Sequence, residues 1–138
     1  MRRALLAVGL LGLWLPALVL AGPPRKALRA FEGTHLAWAN AMRWGTLEEQ
    51  LPFVADNGAA GPLDDLQRRR WEQVRISGYR QRTRALMPDG DMQVRAEISL
   101  INVHTQTERT VLVDEQWRWH DDGGWKLHSG LPDLWAKP

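Results

Sequence analysis

The sequence predicts an α+β domain in which N-terminal helices pack on one face of a curved four-stranded antiparallel meander. Three observations carry this. Apolar residues recur at helical spacing up to Trp44, the period changes to two from Glu72 onward, and three turn signals divide the second half into four strands.

The chain opens with Met1-Arg2-Arg3 and then runs from Ala4 to Ala21 without a charge, until Gly22-Pro23-Pro24-Arg25 ends the apolar stretch. A basic start, an apolar run broken late by Pro16, and small residues at Val19 and Ala21 predict a signal peptide over 1–21, cut before Gly22. The alternative is an uncleaved anchor, because eighteen apolar residues sit at the lower edge of a membrane span; a membrane would be a partner only in that case. Cleavage predicts a periplasmic or secreted protein with one domain over 22–138. That length can bury a single modest core.

The chain holds 18 Lys and Arg against 16 Asp and Glu, and Arg2 and Arg3 account for the whole difference, so 18 − 2 = 16 basic residues remain after the leader. A balanced charge gives no general field for nucleic acid or anionic membrane, and nucleic acid is not an expected partner. With no cysteine there is no disulfide, although an exported compartment would permit one.

From Arg25 to Trp44, Leu28, Phe31, Trp38 and Met42 recur at helical spacing with His35 on the same stripe, which predicts a long amphipathic helix ending at Gly45. Thr46-Leu47-Glu48-Glu49 reads as a capping box that opens a short second helix. Past the loop "ADNGAAGP", Pro62 suits the first turn of a third helix, "PLDDLQRRRW", with acids early and arginines late.

The turn signals "PDGD" (88–91), "TQTE" (105–108) and "DDGG" (121–124) then set the strand register. A four-residue first loop pairs Met87 with Met92, Arg82 with Glu97 and Tyr79 with Leu100. A second turn symmetric about Gln106 and Thr107 pairs Ile98 with Glu115 and Leu100 with Val113. One face then carries Met92, Val94, Ala96, Ile98 and Leu100 beside Val111, Val113, Glu115, Trp117 and Trp119, and the helices must cover it. An odd final turn, Asp121-Asp122-Gly123 with a left-handed glycine, sets Trp125 opposite Trp119. The tryptophans of the last hairpin are then a cross-strand stack in the core rather than a ligand platform.

The stretches "LAWANAMRWGTLEEQLPFV" and "VDEQWRWHDDGGWKLHSG", in a chain of one long helix, two short ones and a meander, resemble the nuclear transport factor 2-like superfamily. The resemblance implies a cone with a pocket between sheet and helices, in a superfamily that holds scytalone dehydratase, ketosteroid isomerase and many non-catalytic binding modules. An early strand pair is missing here, since only the loop between Val54 and Pro62 has room for one. A simpler cystatin-like helix on a four-stranded sheet is the alternative.

Glu115 is the one acid on the apolar face and His35 the one titratable residue on the first helix's apolar stripe. Facing each other inside a cone, they are candidates for catalysis, because a carboxylate among apolar side chains can serve as a base near neutral pH. Trp38 and Trp117 would line the ligand there. The bland reading is a core histidine paired with a structural carboxylate. An unpaired carboxylate at this position further predicts that Glu115→Gln leaves folding intact.

Seven arginines lie between Arg68 and Arg84 with Glu72 the only acid among them, and Arg80, Arg82 and Arg84 are expected on one strand face. They suit an anionic ligand or an acidic partner, or else form a solvated face with Arg82 paired to Glu97. The four histidines show no zinc spacing, so no metal and no cofactor are expected. On the sheet's open face, Val74 and Ile76 are expected beside Ile101 and Val103, with Leu112 opposite Ile101. A patch of Ile76, Ile101, Val103 and Leu112 predicts a two-fold homodimer, with Gly78 as a bulge that would re-aim the first strand.

The function these features suggest is an exported binding or accessory domain of the cell envelope, whose partner is a small molecule or an envelope protein. The alternative is a small lyase or isomerase working through Glu115 and His35.

Overall fold

The computed structural model describes residues 22–56, 58 and 62–135; the expected leader, 1–21, lies outside the described residues. Helix α1 spans Arg25–Trp44, α2 Leu47–Gln50 with a 3-10 turn at Leu51–Phe53 behind it, and α3 Asp65–Glu72. Four strands come next, β1 Val74–Leu86, β2 Met92–Asn102, β3 Glu108–His120 and β4 Gly124–Leu127. They form one antiparallel sheet in the order β1-β2-β3-β4, with the helices on one face.

Helix α1 buries Ala27, Phe31, His35, Trp38 and Met42, a stripe advancing by three or four residues, whereas Leu28 is exposed. The expected stripe therefore holds at Phe31, His35, Trp38 and Met42, and only at its first position does Ala27 take the place of Leu28. The helix ends at Gly45, whose N–H bonds to the Ala41 carbonyl; a Cβ there would stand 2.7 Å from that oxygen, so the close approach requires glycine.

Two expected helix starts are corrected. Thr46 precedes α2 without making a side-chain cap, so the expected box does not form there. The reciprocal box forms at α3 instead, where Asp64 accepts from the Gln67 N–H and the Gln67 side chain accepts from the Asp64 N–H. Pro62 thus lies before the helix rather than in its first turn.

The inward face of β2 and β3 is the expected one: Met92, Val94, Ala96, Ile98, Leu100, Val111, Val113, Glu115 and Trp117 are buried and Trp119 half-buried. The pairing beneath it is shifted by four residues, with Val94 opposite Glu115 and Ala96 opposite Val113. The reason is Asn102. Its side chain accepts from the N–H groups of His104 and Thr105, its own N–H bonds to Thr107, and Gln106 takes a left-handed φ of 59°. The turn is thus centred between His104 and Thr105, two residues before the expected centre. An even slip keeps every side chain on its face, which is why the face was legible although the register was not.

The last hairpin pairs Trp119 with Trp125 around Asp121-Asp122-Gly123, as expected, although the left-handed glycine is Gly124, at φ 72°. Trp117 and Trp125 are core residues, and the Trp125 indole donates to the Ala27 carbonyl at 2.7 Å. Phe31 meets both rings edge-on, at 6.2 Å and 5.1 Å between centroids. Each such side chain contributes about 1.5–3 kcal/mol through burial. Together they lock α1 to the last hairpin.

Strand β1 departs most from expectation. Its pairing with β2 shifts between Ile76 and Gly78 and again between Gln81 and Thr83, and Leu86 rather than Met87 opposes Met92. The first shift turns Val74 and Ile76 inward beside Leu100, so Ile76 is a core residue and not part of the open face. The second turns Arg84 inward over the Phe31 ring, where it ion-pairs with Glu32, while Arg80 and Arg82 stay outside on Glu97. The three arginines do not share a face.

Candidate functional site

Glu115 is brought to the centre of the sheet by β3, and α1 lays His35 and Trp38 across it one turn apart. Tyr79 comes from β1, on the inward face beyond the first bulge, opposite Ile98. The four meet under α1. Glu115 Oε2 accepts from the Trp38 indole at 2.8 Å; Oε1 accepts from the Tyr79 hydroxyl at 2.8 Å and from the Trp117 indole at 3.3 Å. His35 Nε2 lies 3.0 Å from the Tyr79 oxygen and 3.7 Å from Glu115 Oε1.

The expected meeting of His35 and Glu115 therefore occurs, but with Tyr79 between them. Glu115 lies opposite Val94 rather than Ile98, and its side chain is 1% exposed. It is far from unpaired. An indole N–H can only donate, so burying Trp38 and Trp117 requires acceptors beside them, and Glu115 supplies both. Burial, and then the charge and hydrogen bond of Glu115, push the Tyr79 hydroxyl well above the ordinary tyrosine range. Tyr79 stays protonated and donating.

Trp38 and Trp117, expected to line a ligand, are fully buried and pack edge-on at 5.7 Å between ring centroids. A cleft of about 660 Å³ runs along β3 between α3 and the segment after β4, and Glu115 forms part of its wall. The Glu115 side chain is 1% exposed and both oxygens are already taken by Trp38, Tyr79 and Trp117, so the carboxylate offers no free acceptor to a ligand in the cleft. Chemically the cluster is a short hydrogen-bonded chain, imidazole to phenol to carboxylate, buried beneath α1.

Sequence reasoning set Tyr79 inward, opposite Leu100, but missed its part at Glu115; the observed registers, with Tyr79 opposite Ile98 and Glu115 opposite Val94, bring the two together. It also missed Asp91. This residue is 3% exposed beside the first turn, and it accepts from Arg118 at 3.0 Å and from Gln116. The Arg118 hydrogen bond holds its carboxyl below the usual range against the opposing effect of burial. Nearby, His120 and His128 meet head-on, Nε2 to Nε2, at 2.8 Å. "WRWHDD" read as strand and turn gives no hint of that pairing.

The open face is also redrawn. With Ile76 in the core and the β2–β3 register shifted, Leu112 stands opposite Glu97 and Ile101 opposite Glu108. The expected apolar patch is dispersed into Ile101, Val103 and Leu112, separated by polar residues.

No protein-family model matches the chain, and no curated protein matches it. Among solved structures, a protein of unknown function with a cystatin-like fold from Nostoc punctiforme is similar, at 11% identity and a TM-score of 0.48, over 78% of this chain and 90% of that one. By its own architecture the chain is a small α+β domain of the helix-on-meander, cystatin-like kind. Among the described residues, an isolated bridge between Val54 and Leu127 takes the place of an early strand pair.

Proposed function

We propose that the chain is an exported, non-catalytic binding or accessory domain of the cell envelope, periplasmic or secreted. The observation that carries the non-catalytic reading is the enclosure of Glu115, whose two oxygens receive three protein donors in the core. A general base must reach the proton that it removes, and this one faces only protein. Export rests on the basic start and uncharged run of residues 1–21. The binding role draws support from clefts on the outside of the fold, among them the one along β3.

Two measurements test this. Native mass spectrometry of the product recovered from a bacterial periplasm is expected to show a chain beginning at Gly22; a membrane-bound product retaining 1–21 overturns export. Hydrogen exchange at the Trp38 and Trp117 indole N–H groups is expected to be slow. Fast exchange in the native protein would mean that the core opens to solvent, and would restore the lyase or isomerase reading.

A further inference from the structure

A second cleft, of about 560 Å³, lies between the C-terminal end of α1, helix α2, the end of α3 and the first residues of β1. Its volume is that of a small-molecule site. Among the described residues, two buried side-chain polar atoms lack a hydrogen-bond partner, Gln50 Oε1 and Ser77 Oγ, and both residues line this one cleft. Folded proteins rarely leave such atoms orphaned, and two at one place ask for a common partner.

The amide of Gln50 is 2% exposed and its orientation is fixed: the nitrogen donates to the Ala41 carbonyl at 3.1 Å, and since a carbonyl only accepts, the oxygen is the atom left over. Ser77 is the extra residue of the first β1 bulge, between Ile76 and Gly78. Bulges commonly re-aim a side chain beside a functional site.

The charges of the wall are as specific. Arg43 donates to the Ile76 carbonyl at 3.0 Å and lies 4.0 Å over the Trp44 ring, which holds its guanidinium in place. Arg75 shares the cleft. Among the described residues neither arginine is in an ion pair, and neither is Glu72, the acid of the same wall. Two free cations, one free acid, two orphaned polar atoms and the apolar faces of Met42 and Trp71 describe a receptor for a small zwitterion.

We propose that this cleft binds a free α-amino acid with an apolar side chain of about the size of leucine. The carboxylate lies on Arg43 and Arg75, the ammonium donates to Gln50 Oε1 and Ser77 Oγ beside Glu72, and the side chain rests on Trp71 and Met42. The assignment supplies a ligand to the binding reading above and rests on that reading only for the absence of turnover.

The test is calorimetric titration of the exported protein with L-leucine, with 4-methylpentanoate, which lacks the ammonium, and with 3-methylbutylamine, which lacks the carboxylate. Leucine is expected to bind and each truncated probe to bind at least tenfold more weakly. Ser77→Ala and Arg75→Gln are each expected to weaken leucine at least tenfold while keeping the near-ultraviolet dichroism of the fold. Should Arg75→Gln fail to fold, Ser77→Ala alone decides. A hydroxyl with no ligand would leave affinity unchanged on removal, and that result, or no binding at millimolar leucine, overturns the site. Leucine recovered unaltered by NMR is the expected fate; its conversion would overturn the non-catalytic reading and leave the site standing, whereas absent binding leaves that reading untouched.

Discussion

The Tyr79 hydroxyl donates to Glu115 at 2.8 Å while His35 Nε2 stands 3.0 Å from the same phenolic oxygen. A phenol has one proton. Because that proton is committed to Glu115, the histidine nitrogen must be the donor in the second bond, which fixes His35 with hydrogen on Nε2. These two bonds tie the packing of α1 on the sheet to the titration of the core.

Glu115→Gln is expected to destabilise the fold, contrary to what an unpaired carboxylate would predict. An amide keeps one acceptor and gains a donor. If its oxygen serves Tyr79 and Trp117, its nitrogen faces the Trp38 N–H; if it is turned over, the Trp117 N–H loses its acceptor. Either way one buried indole donor is orphaned, at about 1–3 kcal/mol. Urea denaturation of the variant reads the loss directly. Unchanged stability would mean that the three bonds contribute nothing net.

Tyr79 is the chain's single tyrosine, so ultraviolet absorbance in alkali reports on this one phenol. With its folded pKa raised, the native protein holds the proton that the unfolded chain gives up above the ordinary value of 10.0. The stabilisation is complete below that pH and is lost as pH rises, by about 1.4 kcal/mol per unit. The phenolate band should therefore appear only together with loss of near-ultraviolet dichroism. A phenolate titrating near pH 10 in the folded protein would show that the cluster is open.

At the acid end the groups are His128, His120, Asp91 and Arg118. His128 is lowered from 6.5 by burial first, and then by Arg118 and His120. Since the unfolded chain binds this proton more readily, stability is full above 6.5 and falls as pH drops toward the folded value. Asp91 is lowered from 3.8, so its contribution is lost only further down. Stability against pH should thus fall in two stages. In His128→Gln the first stage is expected to disappear and the second to remain; a single fall, confined to the carboxylate range, in the wild type would refute the assignment.

How far the sequence carried depends on parity. Alternation along "MQVRAEISL" and "TVLVDEQWRW" told which side chains face inward, and an even error in register does not disturb that, so Glu115 was correctly placed in the core. Position along the sheet depended on Asn102, whose turn-forming side chain is indistinguishable in sequence from any asparagine at a strand end. Strand β1 was legible least. Its two bulges are single extra residues, at Ser77 and Arg82, and each reverses the parity of the residues beyond it. The inward turn of Ile76 and the separation of Arg84 from Arg82 stem from those two positions, whereas Tyr79 keeps its expected face and only moves from Leu100 to Ile98.

The same reversal bears on the oligomeric state. The expected dimer face needed Ile76, Ile101, Val103 and Leu112 in one patch, but Ile76 is 6% exposed and lies in the core. Leu112 opposes Glu97 while Ile101 opposes Glu108, four residues along β3, or about 13 Å at strand spacing. Between them on the open face lie Ser99 and Thr110, hydroxyl to hydroxyl at 3.3 Å, while Arg80 and Arg82 pair with Glu97 beside Leu112 and Arg95 pairs with Asp114 at 2.9 Å beyond it. An interface there would have a polar centre, the reverse of the apolar core and polar rim of a stable homodimer. The wild-type protein is therefore expected to show the mass of one chain by light scattering at micromolar concentration. Replacing Ile101 and Leu112 together with lysine should leave that mass unchanged and the fold intact. A dimeric wild type that the double substitution dissociates would restore this face as a two-fold interface.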